Sequence, residues 1–246
     1  MKNSLSFTEY MRSLCAISVF YLLMLVVSIL IFLAAILSFG KATNWSVKTF
    51  APILGRPVLY ILGIDFEVKD MRSDPSQPVV YIFNHSSTLD IPALLSLALK
   101  RIRIVVKWEL QYIPFLFIIG RLTGQVFIKR HDKEHSIATL QKALNRIKDN
   151  NLNLVLAPEG TRKHKGIIGP FKKGAFHMAL QLGYPIVPIY FDGNGALSHK
   201  GSIMARSGKI VATIHPPVET SSWDVETIDE HIADVREMYL GWANIK

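Results

Sequence analysis

The sequence predicts an α/β fold: a mostly parallel central sheet flanked by helices, preceded by an N-terminal membrane-embedded helical segment. Three observations predict it. Short apolar runs of strand type alternate with helical patterns from residue 79 onward. No residue from Leu14 to Phe39 is charged. Polar clusters follow several of the apolar runs directly, where open α/β sheets place their ligand sites.

The uncharged run lies between Arg12 and Lys41. At about 1.5 Å per residue, such a helix is long enough to cross a hydrocarbon core of roughly 30 Å. It exceeds the apolar core of a signal peptide, about 7 to 15 residues. A core helix apolar on every side would be unusual in a domain of this size. The next stretch, "FAPILGRPVLYILGI" (50–64), is also apolar. The segment therefore either spans or forms, with 50–64, a hairpin inserted from one side. Lys2 and Arg12 precede the run, whereas Lys41, Lys48 and Arg56 follow it. That bias favours a cytoplasmic location for the rest of the chain. Residues 1–64 read as a membrane anchor and 65–246 as the soluble domain.

Within that domain the polar connector "RSDPSQP" leads into a strand, "VVYIF" (79–83), and a helix follows Asp90. Next come a strand "RIVVK" (103–107), an apolar segment "LQYIPFLFIIG" (110–120) and a strand "GQVFIKR" (124–130). The segment 110–120 fits an ordinary core element as well as a supplement to the anchor or a wall of an acyl channel. A helix is expected from Asp132, its N-cap, to Asp149, with Ile137, Leu140, Leu144 and Ile147 on one apolar face. "LNLVLAP" (152–158) has a buried-strand pattern, and "GAFHMALQLG" (174–183) reads as a helix ended by glycine. Strands "PIVPIYF" (185–191) and "KIVATI" (209–214) precede a final helical stretch, "DVETIDEHIADVREMYLGW".

Hydrophobic residues make up 50% of the chain, and the formal net charge is +9. A basic protein of this kind suits anionic lipid or an anionic substrate. Nucleic acid is not an expected partner, since neither zinc-finger spacing nor an RNA-binding aromatic signature occurs. The single cysteine, Cys15, excludes an internal disulfide framework and any cluster of cysteine ligands. His131, His135, His164 and His177 have no metal-ligand spacing, so no metal or cofactor is expected.

Two constellations carry possible chemistry. In "NHSSTLD", His85 and Asp90 lie just past a buried strand. Asp90 could simply cap a helix, and the Asn, Ser and Thr could simply form a turn. Alternatively the turn curls so that the carboxylate meets the imidazole, fixes its tautomer and leaves the other nitrogen to act as a base. Neither Ser86 nor Ser87 lies in a G-x-S-x-G elbow, which points to direct attack by a substrate hydroxyl without a covalent intermediate. In "PEGTR", Glu159, Gly160, Thr161 and Arg162 pack an acid, a flexible glycine, a hydroxyl and a guanidinium into one turn. Glycine lets backbone N–H groups approach a ligand, and arginine suits phosphate; a turn with a local ion pair is the plainer alternative. Lys129 and Arg130 leave a third strand end. Lys163, Lys165, Lys172 and Lys173 form a basic rim that is either a solvated face or a meeting place for phosphates.

Together, "NHSSTLD" and "PEGTR" resemble the paired hallmarks of the glycerolipid acyltransferases. Lys107, Glu109, Leu110, Pro114 and Gly120, "GQVFIKR" and "VPIY" (187–190) fit as well, over roughly residues 65 to 215. Within that family the chain is most similar to the bacterial 1-acyl-sn-glycerol-3-phosphate acyltransferases. Two departures, Ala157 and the Ser86-Ser87-Thr88 run, touch no chemical role. The resemblance implies that His85 is the general base on the sn-2 hydroxyl of lysophosphatidic acid and that Asp90 orients it. It implies that Glu159, Gly160, Thr161, Arg162 and Arg130 hold the acceptor's phosphate, with Lys129 beside them. Acyl-CoA or acyl-carrier protein would be the donor, phosphatidic acid the product, and the cytoplasmic face of a bacterial inner membrane the location. Other lysolipid acceptors, such as lyso-ornithine lipid, and a non-catalytic membrane lipid-binding protein are the competing expectations.

Overall fold

A computed structural model describes residues 5–72, 77–129, 133–162, 168–198 and 201–244, apart from the side chains of 133–138. The chain opens with α1 (Phe7–Leu37), started by a capping box in which Ser6 accepts from the Glu9 N–H and Glu9 accepts from the Ser6 N–H. At 31 residues it is about 46 Å long. Among the described residues it is the one helix long and apolar enough to cross a membrane. Ser13, Ala16, Met24, Val27, Ser28 and Ile31 form its buried stripe, flanked by half-buried Phe20 and Leu23, while many of its other apolar side chains, such as Phe7 and Leu37, stay exposed.

The second helix, α2 (Thr43–Ile61), begins well before the apolar stretch that the sequence marks, and it contains Pro52 and Pro57. It is no free-standing membrane segment. Val58 and Leu59 share one core with Ala16 of α1 and with Val79, Tyr81 and Phe83 of the sheet. The two N-terminal helices and the sheet therefore pack around common apolar residues.

The remaining elements alternate as expected from residue 79 onward, apart from a strand at 64–70 and a short helix at 194–197 that the sequence does not mark. They run β1 (Ile64–Asp70), β2 (Val80–Phe83), α3 (Asp90–Ser96), β3 (Ile102–Lys107), α4 (Pro114–Leu122), β4 (Val126–Ile128) and α5 (Lys133–Asp149). Then come β5 (Asn153–Leu156), α6 (Lys173–Leu182), β6 (Ile186–Asp192), α7 (Asn194–Leu197), β7 (Gly208–Ile214) and α8 (Ile228–Trp242). Among the described residues the sheet has seven strands in the order β1-β7-β6-β2-β5-β3-β4. Every pairing is parallel except β6 with β7.

Alternation along the strands divides the interior. Val79, Tyr81 and Phe83 face α1, α2 and α3, whereas Val80 and Ile82 face α5, α6 and α8. Leu144 and Ile147 bring the predicted apolar stripe of α5 into that second core; Asp132 and the Ile137 side chain lie outside the described residues. Gly183 ends α6 in the left-handed conformation, as its sequence suggests. Tyr239 of α8 is fully buried, and its hydroxyl donates to the Ile82 carbonyl at 2.8 Å, pinning the helix to β2. At the apolar segment 110–120, a 3-10 turn (Trp108–Tyr112) leads into α4, which packs Phe115, Leu116 and Ile119 against Met24, Val27 and Ile31 of α1.

Candidate active site

Three adjacent parallel strands, β6, β2 and β5, deliver their carboxyl ends to one edge of the sheet. Beyond β2, Asn84 is fully buried. It donates to the Phe191 carbonyl at 3.0 Å and accepts from the Phe191 N–H at 2.7 Å. This reciprocal pair ties the end of β2 to β6 and fixes where the following turn begins.

In that turn His85 and Asp90 meet. Nδ1 of His85 lies 2.7 Å from Oδ2 of Asp90, and a carboxylate partner assigns the proton to Nδ1. Asp90 is fully buried while the imidazole side chain is 22% exposed. Asp90 is not itself the N-cap: it is the first residue of α3, and the Leu89 N–H before it donates to Ser87 Oγ at 3.1 Å. Instead the Asp90 carboxylate accepts the Ser87 N–H, at 3.1 Å to Oδ2, and the side-chain amide of Asn194.

Sequence reasoning gives Asn194 no role. Its Oδ1 accepts from Ser86 Oγ and from the Gly195 N–H, both at 2.9 Å, which orients the amide so that Nδ2 points at Asp90. The preceding Gly193 has φ +89°, and a Cβ there would stand 2.3 Å from the Lys209 carbonyl oxygen. Only glycine lets the chain turn from β6 into α7 this close to β7. Ser86 and Ser87, which the sequence reading gives no chemical role, thus shape the surroundings of Asp90. The local signal available was the "GNG" string at the end of a buried strand.

The second hallmark turn follows β5. Glu159 is 1% exposed. Its Oε1 accepts the His85 N–H at 2.7 Å and its Oε2 accepts the Gly169 N–H at 2.9 Å. A carboxylate so placed braces the main chain that carries the histidine. Gly160 is left-handed, with φ +66°, and the Lys172 side chain crosses it, 3.4 Å from Nζ to the place a Cβ would occupy. Nη1 of Arg162 is buried without a hydrogen-bond partner among the described residues. Thr161 is half-buried in the same turn.

Lys129 stands at the same edge beyond β4, with Nζ 4.8 Å from the Trp108 ring centre. Three strand spacings separate β4 from β2, about 14 Å. The His85 pair and the Glu159 turn are thus brought together, and Lys129 flanks them. Arg130, Lys163 and Lys165 lie outside the described residues.

Residues 65–192 match the acyltransferase family. The 1-acyl-sn-glycerol-3-phosphate acyltransferase of Limnanthes alba is 31% identical over 191 residues, 78% of this chain and 68% of that protein. The protein of the same name from Saccharomyces cerevisiae is 35% identical over 183 residues, 73% of this chain and 60% of its own. The human 1-acyl-sn-glycerol-3-phosphate acyltransferase alpha is 32% identical over 184 residues, 74% of this chain and 65% of its own. In fold, the chain is similar to the crystal structure of the 1-acyl-sn-glycerophosphate (LPA) acyltransferase PlsC from Thermotoga maritima. That likeness has a TM-score of 0.76 at 23% identity and covers 97% of this chain and 98% of the other.

Proposed function

This chain belongs to the acyltransferase family, and from that premise we propose that it acylates the sn-2 hydroxyl of 1-acyl-sn-glycerol 3-phosphate. The relatives' named activity supports the acceptor. One observation carries the mechanism: the 2.7 Å contact between His85 Nδ1 and a fully buried Asp90.

With Nδ1 committed to Asp90, base work falls to Nε2. It takes the proton of the sn-2 hydroxyl as that oxygen attacks the carbonyl carbon of an acyl thioester. The tetrahedral intermediate collapses, the C–S bond breaks, and the imidazolium returns its proton to the departing thiolate. Acyl-CoA or acyl-carrier protein supplies the thioester, and no acyl-enzyme forms. The acceptor's phosphate seats on the Gly160–Arg162 turn, where a guanidinium nitrogen without a partner among the described residues supports an anion. Arg130 and Lys129 belong to the same phosphate site in this reading. The bare apolar side of α1 supports membrane association, with the catalytic edge at the cytoplasmic interface of a bacterial inner membrane.

The test is thiol release in mixed micelles containing lysophosphatidic acid and an acyl-CoA, for wild type and His85→Ala. Release by wild type and its near-complete loss in the variant is the expected result. Turnover that survives His85→Ala would overturn the mechanism.

A further inference from the structure

The opposite edge of the sheet holds a second cluster that the proposed reaction does not use. A cavity of about 370 Å³ opens there between the α1–α2 connection, the end of α4, the start of β3 and the last turn of α5. Its charged lining consists of Lys41, Arg103, Arg121 and Arg146, and no carboxylate is among the described lining residues.

Arg103 is the unusual member. It is only 5% exposed. Nη1 donates to the Ile102 carbonyl at 2.8 Å and Nη2 to Asn44 Oδ1 at 2.9 Å, whereas Nε is buried without a partner among the described residues. Burial, reinforced by Arg146 and Arg101, pushes the guanidinium down to about 10. It therefore remains charged at neutral pH, against both desolvation and like-charge repulsion. A buried cation is ordinarily paired with an anion.

Gly124 brings a second guanidinium to the same spot. Its φ is +70°, and a Cβ there would lie 3.3 Å from Arg103 Nε and 3.2 Å from Arg146 Nη2. Two cationic side chains thus close on one bare Cα. The cavity adjoins the end of α1, where Leu37 and Phe39 are 80% and 93% exposed. A phosphate carried on a lipid would have its chains beside that apolar surface.

We propose that this cavity is a second phosphate-group site, separate from the catalytic edge, built by Arg103, Arg146 and Lys41. The phosphate comes either from an anionic phospholipid headgroup or from solution, and two measurements on the full-length protein separate these sources. In the first, inorganic phosphate is titrated at constant ionic strength into detergent-solubilised Arg162→Gln, which removes a contact from the catalytic phosphate turn. Thermal stability is followed. In the second, co-sedimentation compares phosphatidylcholine vesicles with and without roughly 20% phosphatidylglycerol.

Each measurement is repeated with Lys41→Gln and Arg146→Gln added, both exposed side chains. A saturable phosphate-induced stabilisation whose affinity these changes weaken about tenfold supports the site with phosphate from solution. Loss of the preference for anionic vesicles supports it with a lipid source. If neither measurement differs between the two backgrounds, the proposal is wrong. Keeping Arg103 intact separates that outcome from a failure to fold.

Discussion

Nδ1 of His85 and Oδ2 of Asp90 stand 2.7 Å apart, with the carboxylate fully buried and the imidazole partly exposed. The acid is enclosed by donors and the base remains within reach of solvent. Asp90→Asn would set an amide NH2 against the Ser87 N–H or the Asn194 amide, both donors toward this position. Turnover is expected to fall about 10² to 10³-fold, measured by thiol release. Unchanged far-ultraviolet circular dichroism would show that the fold is kept.

Asn194 acts through Asp90 and is a positioning residue. Replacing it with alanine removes the donor to the carboxylate and leaves Ser86 Oγ without its acceptor. The expected signature is a kcat about ten- to a hundredfold lower with KM for the acceptor within about twofold. An unchanged kcat would show that Ser87 alone suffices to hold Asp90.

Glu159→Gln offers one carbonyl oxygen where two main-chain N–H groups need acceptors. One buried donor is left unpaired at a cost of about 1–3 kcal/mol. A drop of several degrees in Tm in detergent, together with lost activity, is expected from a thermal melt. Equal melting temperatures would refute the bracing role.

Gly55→Val tests how closely α2 must approach the catalytic helix. A Cβ at Gly55 would lie 2.4 Å from the Pro92 carbonyl oxygen and 2.8 Å from the Ser96 nitrogen, both backbone atoms of α3. The helix beginning at Asp90 must then shift. Activity should fall at least about tenfold even though residue 55 is remote in sequence from the histidine. Full activity would mean that α2 can yield instead.

Arg162→Gln probes the phosphate turn. KM for lysophosphatidic acid should rise about tenfold or more, since charge-assisted hydrogen bonds contribute about 1.5–3 kcal/mol. Any residual turnover of a phosphate-free lysolipid should be indifferent to the change. Equal effects on both acceptors would remove Arg162 from phosphate binding.

The alternation of strands and helices was legible because most strands are buried on both faces and read as continuous apolar runs. β1 was not. It is an edge strand whose residues after Ile64 are half-buried or exposed, so it has no continuous apolar run; its signal is the alternation of Ile64, Phe66 and Val68 with Asp65, Glu67 and Lys69. α2 was legible only in its second half, where two prolines argue against a continuous helix. At the site, His85 and Asp90 could be paired by eye because they share one turn. Glu159 could not, because it meets His85 from 74 residues away, and Asn194 reaches Asp90 across 104. Local sequence shows what a residue offers, and only the register of β2 against β5 and β6 shows what it is offered to.

The placement of β1 also sets the order in which this molecule is completed. Among the described strands β1 pairs only with β7, so the strand made first waits for the strand made last. During synthesis, α1 and α2 leave the ribosome and can reach lipid while residues 208–214 are still unmade. Such a distant pairing is slow to close, because the long intervening chain must be ordered first. Closure of this edge of the sheet is therefore a late event in folding, reached only after the strands between β1 and β7 have been made.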